Sequence, residues 1–185
     1  MGLLTDYFAA TPAELDGVSV EDGPFPAPPA PPAKAKGSGG LFGLFRSKPD
    51  PAPVVEAPPV PEAPSLPAFA SKGIDAPRIA LLDSLLTGVR FAEEDWDGPA
   101  TTPVRDNGDD GPWIFGLRSE FRDAIARIDD EVAADLAARW AADTDWMGET
   151  DPESVAALRE FIGELRGLAK EAIESGRDLY VWVCL

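Results

Sequence analysis

Apolar and polar positions recur with readable periods near both ends of this chain and lose all period in a long stretch between. Residues 2–9 are mostly apolar and predict a short strand. Thr11-Pro12-Ala13-Glu14 has capping-box form with proline at the first helical position, so a helix of one or two turns follows and fades by Gly17. Beyond the aperiodic stretch, Asp75-Ala76-Pro77 predicts a helix start. Ile79, Leu82, Leu85 and Leu86 share one helical face, and Gly88 supplies a left-handed stop. Trp113 to Leu117 predicts a strand, led in by Gly111-Pro112. Ser119 is expected to cap a helix with Phe121, Ile125 and Ile128 inward. Asp129 or Asp130 opens the next helix, with Val132, Leu136 and Trp140 inward. Asp151-Pro152-Glu153 opens the longest, running to about Ser175 on an inner stripe of Val155, Leu158, Ile162, Leu165, Ala169 and Ile173. Gly176 stops it. From Asp178 to Cys184 the chain alternates, with Leu179, Val181 and Val183 on one face and Tyr180, Trp182 and Cys184 on the other. Both faces are apolar, so this strand is expected to be central, or covered on both sides.

This element order predicts an α+β fold: a small sheet of about three strands, containing both chain ends, packed against a helical layer. The period vanishes where proline concentrates, with 14 of the 20 prolines between Pro24 and Pro67. Proline removes backbone donors and holds extended geometry. Residues 23–71 are therefore expected to be a disordered Pro-rich insertion. Residues 1–22 then supply an N-terminal strand and short helix to the core domain, and residues 72–185 its main body. Against a six-residue loop, so long an insertion costs only about 2 kcal/mol of closure entropy.

Charge narrows the functional classes. The 185 residues carry 33 acidic and 16 basic side chains, a net charge of −17. Such a field repels nucleic-acid phosphates, so no nucleic-acid partner is expected. It favours a basic partner, or serves solubility. Histidine is absent, which removes the commonest general base and metal ligand. The single Cys184 allows neither an internal disulfide nor a cysteine zinc site, and reads as a reduced, buried thiol of a cytoplasmic protein. The first residues lack the basic region and apolar stretch of a secretory signal, and no apolar run approaches the length of a membrane span.

Candidate chemistry is sparse. Asp106-Asn107-Gly108-Asp109-Asp110-Gly111 has the glycine of a calcium loop, but its twelfth position is Leu117 where a bidentate Glu is needed. Asp143-Thr144-Asp145 fails similarly at Met147, so no metal or cofactor is expected. Glu93, Glu94, Asp95 and Asp97 flank Trp96, and a carboxylate pair beside an aromatic can act on a sugar. All four share one loop, with no pair singled out at a working separation. Trp113, Trp140 and Trp182 fall on core spacings, whereas Trp96 and Trp146 lie in polar loops and are the candidate exposed aromatics.

Several positions resemble a bacterial family of unknown function, the YfbM-like family. They are Met1-Gly2, Tyr7-Phe8-Ala9, the helix end Leu86-Thr87-Gly88, the Trp113–Leu117 strand, and a long penultimate helix feeding a terminal apolar strand. The resemblance covers residues 1–22 and 72–185, and the proline-rich insertion departs from it. It implies a compact mixed α/β domain without an established activity.

The segment that points to a partner is Lys34 to Lys48. It holds four positive charges and no acid. Leu41, Phe42, Leu44 and Phe45, followed by Arg46 and Lys48, stand between flexible glycine and stiff proline. Each large apolar residue gains about 1.5–3 kcal/mol on burial, and ordering costs reduce the sum to a weak contact. A groove on another protein, an anionic bilayer, or the acidic face of the same domain would each suit it. The expected function is a non-enzymatic protein-interaction domain with a tethered linear motif, in the manner of immunity proteins that neutralise toxins. The alternatives are a peripheral membrane protein recruited through residues 34–48, and an enzyme with an all-carboxylate site.

Overall fold

Five antiparallel strands form one sheet in the order β2–β1–β5–β4–β3: β1 Leu4–Ala10, β2 Ala68–Lys72, β3 Arg105–Asp106, β4 Trp113–Gly116 and β5 Asp178–Cys184. The helices are α1 Pro12–Leu15, α2 Ala76–Thr87, α3 Ser119–Ile125, α4 Asp130–Ala141 and α5 Pro152–Ser175. These elements come from a computed structural model that describes residues 4–25, 65–89, 103–108, 111–143 and 150–184. All of them fall in a unit made of the stretches Met1–Pro26 and Ser65–Leu185. The fold is α+β, with both end strands in the sheet and helices packed on it.

β5 lies at the centre, as its two apolar faces require. Residues of the two strand parities divide the core. Tyr7, Ala9, Leu179, Val181 and Val183 face the helices and pack with Phe121, Leu136, Trp140, Phe161, Ile162 and Leu165. Phe8, Ala10, Ile114, Tyr180 and Trp182 face the other way, under Leu15 and Val18. The N-terminal segment after β1 is thus a small cap on the second face. The Thr11 capping box closes α1. Arg105 donates to the Leu15 and Val18 carbonyls at 2.6 and 2.8 Å, tying the turn after α1 to β3. The Trp182 indole donates to the Val20 carbonyl at 2.7 Å. Gly23 sits on the Trp182 ring with φ +73°, where a Cβ would come within 3.0 Å of a ring carbon.

An ion pair fastens the cap to the main body. Arg177 donates to Glu14 through Nε at 2.9 Å and Nη2 at 2.7 Å, and the Thr11 amide donates to the same carboxylate at 2.8 Å. Those bonds, Arg177's first, lower the Glu14 carboxyl from its ordinary 4.5 to about 2. A lowered folded-state value stabilises above the unfolded value and is lost on acidification. Between about pH 4.5 and about pH 2, the melting temperature of the native protein should therefore fall more steeply than that of Glu14→Gln. Parallel slopes in thermal melts across that window would contradict the assignment.

Four expectations need correction. The insertion expected over 23–71 does not take in the ends of that range: residues 65–72 belong to the fold, with Ala68–Lys72 pairing with β1, and Gly23 and Pro24 are buried, while residues 26–64 lie outside the described residues. β1 would otherwise leave an open backbone edge over the core, and this late segment covers it. Among the described residues five strands stand where about three were expected, because β2 lies in the range assigned to the insertion and β3 has only two residues. Val132 and Ile173 are exposed at 43% and 44%, and the buried faces of their helices are instead Ala133, Leu136, Ala137, Trp140 and Ala141 on α4, and Leu158, Phe161, Ile162, Leu165, Leu168, Ala169 and Ala172 on α5. Alanines let α4 approach its neighbours closely. Ser119 does not cap α3. Arg118 occupies the cap position without a side-chain cap bond and spends its guanidinium on Asp83.

Candidate partner-binding edge

Leu41, Phe42, Leu44, Phe45, Arg46, Lys48, Trp96, Trp146 and the Glu93–Asp97 acids all lie outside the described residues. Asp106 lies within them, and its carboxylate accepts the Gly108 amide in a tight turn. Among the described residues no three Cys, Asp or Glu side chains gather to hold a metal ion. Cys184 is half-buried beside the second-face core, rather than enclosed as expected.

Most structurally engaged acids already have work. Asp75, Asp129 and Asp151 cap helices, and Asp83, Asp178, Asp130 and Glu14 pair with Arg118, Arg122, Arg166 and Arg177. The acids without such roles include Glu164 and Glu171, and these stand beside β2.

The pairing of β1 with β2 decides what β2 presents. Tyr7 lies opposite Phe69 and Asp6 opposite Ala70, and the Ala9 amide donates to the Pro67 carbonyl at 2.9 Å. Hydrogen-bonded pairs alternate along an antiparallel ladder. Pro67, Phe69 and Ser71 therefore turn their backbone groups toward β1. Ala68, Ala70 and Lys72 turn theirs outward, where among the described residues no strand meets them.

Hollows lie on both faces of this edge. On the helical side a groove of about 500 Å³ is lined by Pro67, Ala68 and Phe69 and by α5, where Gly163 and Gly167 expose backbone and Glu164 and Glu171 supply charge. A Cβ at either glycine would meet nothing within 4 Å. Glycine inside a helix costs about 1 kcal/mol against alanine, and no packing contact here demands it. On the other face a hollow of about 230 Å³ is lined by Leu4, Asp6, Ala70, Ser71, Lys72 and Trp182, beyond the reach of the cap. Partial burial raises the Asp6 carboxyl above its ordinary range. Lys72 shares that hollow, so it is close to neutral and mainly apolar.

A backbone edge that no strand among the described residues pairs, an acidic groove on one side and an apolar hollow on the other can hydrogen-bond a polypeptide and select it by charge. Sequence reasoning passed over these residues. The available signal was the Gly163–Gly167 spacing, two helix-weakening residues one turn apart in the middle of an otherwise strong helix. No helix among the described residues is long and apolar enough to cross a membrane. Comparison with known proteins finds no matching family model, no matching curated protein and no matching solved structure.

Proposed function

We propose that this chain is a non-enzymatic protein-interaction domain that engages a basic protein partner in the cytoplasm. The observation that carries this is the groove beside β2, whose carboxylates Glu164 and Glu171 are spared from the ion pairs and caps that occupy acids elsewhere. Opposite charge across a contact steers encounter and rejects wrong partners more than it adds affinity. The net charge of −17 extends that steering beyond the groove. The apolar-basic motif, Leu41, Phe42, Leu44 and Phe45 with Arg46 and Lys48, gives the domain a second contact on a proline-rich tether. Two weak contacts joined by a tether reach useful avidity without either being tight.

Full-length protein serves as bait in an extract of its own cells, with Glu164→Lys/Glu171→Lys as the comparison. A basic protein should be retained by the native bait and at least ten-fold less by the charge-reversed one at unchanged melting temperature. Equal retention by both, or none by either, rejects the proposal. The glycines give a separate prediction. Gly163→Ala/Gly167→Ala should raise stability by about 1–2 kcal/mol in urea melts, because a Cβ there has open space. It should also weaken retention, because the methyls narrow the groove.

A further inference from the structure

We infer that the partner's contact is an extended segment that adds to β2 as a further strand, with arginine or lysine alternating with apolar residues. This rests on the interaction reading above and specifies its chemistry.

The backbone makes the first argument. Ala68, Ala70 and Lys72 hold their amides and carbonyls outward, and paired backbone is what an extended ligand supplies. Protein edges are commonly blocked by proline, charge or bulges. Here Pro67 stands before the strand and Lys72 at its end. Between them Ala68 to Ser71 carry mostly small side chains, which leave the outward groups accessible.

The two hollows make the second argument. Successive side chains of a strand point to opposite faces of the sheet, so an added strand needs room on both. It has the groove above Gly163 and Gly167 on the helical side, and the hollow of Leu4, Ala70 and Trp182 on the other. The faces differ in chemistry. Glu164 and Glu171 call for a cation whose stem can lie over Phe69 and Leu168. The second hollow, lined mainly by apolar surface from Leu4, Ala70 and Trp182, calls for a Val- or Ile-sized side chain. The recognised pattern is therefore basic–apolar alternation.

The probe is a synthetic peptide of about eight residues alternating Arg and Val, titrated into the full-length protein by fluorescence anisotropy. Two further versions carry backbone N-methyl groups, one on every Arg and the other on every Val. In an added strand only one of these sets points its amides at β2. One N-methylated peptide should therefore lose at least ten-fold in affinity while the other stays within about two-fold of the parent. Amide signals of Ala68, Ala70 and Lys72 should shift with the parent peptide. Ala70→Pro, which removes an outward amide, should weaken it at least ten-fold, and the methylated peptides test the same point should that variant misfold. Equal behaviour of the two methylated peptides overturns strand addition. So does failure of the parent peptide to bind, or a concentration-dependent dimer abolished by Ala70→Pro, which would make the occupant a second copy. Loss of parent binding in Glu164→Lys/Glu171→Lys, with the methylated peptides alike, rejects the strand geometry while leaving the acidic-groove interaction standing.

Discussion

Trp140→Ala is expected to lower folding stability by about 3–5 kcal/mol, the range for emptying an aromatic site in a core. Trp140 is fully buried on α4 and lies against Phe161 of α5, with ring centroids 5.8 Å apart. Phe161 in turn meets Tyr7 and Phe69, so the indole anchors a chain of rings leading to the sheet. Its surroundings cannot close over the gap. Ala133, Ala137 and Ala141 already bring α4 close to its neighbours and have no side-chain length to give. The indole nitrogen is buried without a hydrogen-bond partner among the described residues, and an unpaired buried donor costs about 1–3 kcal/mol. Trp140→Phe removes that donor and keeps a ring, so it should recover more than half of the loss. Urea melts followed by circular dichroism measure both. An alanine variant within about 1 kcal/mol of native would mean that this layer is not the centre of the core.

Asp83→Ala is the second large effect, expected at about 2–3 kcal/mol. Asp83 is one of two buried polar residues among the described residues and accepts from Arg118 Nε at 2.7 Å and Nη2 at 2.8 Å. The Thr87 hydroxyl donates to the same carboxylate at 3.0 Å. The pair ties the end of α2 to the turn between β4 and α3. Removing one partner of an enclosed pair strands the other, at about 3–5 kcal/mol when burial is complete. The Arg118 side chain keeps 31% exposure, which lets water soften the penalty. Asp83→Leu/Arg118→Met, which removes both charges, should cost less than the sum of the single changes. Additive losses in the cycle would mean that the two side chains act independently.

The elements that were legible in the sequence carry their own start and stop signals. Asp75, Asp129 and Asp151 cap the helices that their positions foretold, and Gly88 and Gly176 end theirs in the left-handed conformation. β5 was legible because seven residues alternate between two apolar faces. β2 was not, since Ala-Phe-Ala-Ser-Lys has little strand propensity and follows a proline run. It is a strand because β1 offers it a ladder, which is a non-local fact. The buried faces of α4 and α5 were misread at Val132 and Ile173. Periodicity counts hydrophobicity, whereas close packing there selects small alanines and the large Phe161. The candidate edge was illegible for the same reason as β2, being a property of pairing, and only the two helix glycines hinted at it.

The central ladder joins β1 to β5, so that Tyr7 finds its neighbour at Val181 across nearly the whole chain. Ribosomal synthesis therefore makes Tyr7 long before Val181. Until residues 178–184 emerge, β1 has only its short edge partner and the helices lack the sheet that completes their core. Completion of this sheet consequently waits for residues 178–184. Until then the nascent chain carries an exposed Tyr-Phe strand, and that is the interval when a holding chaperone matters most.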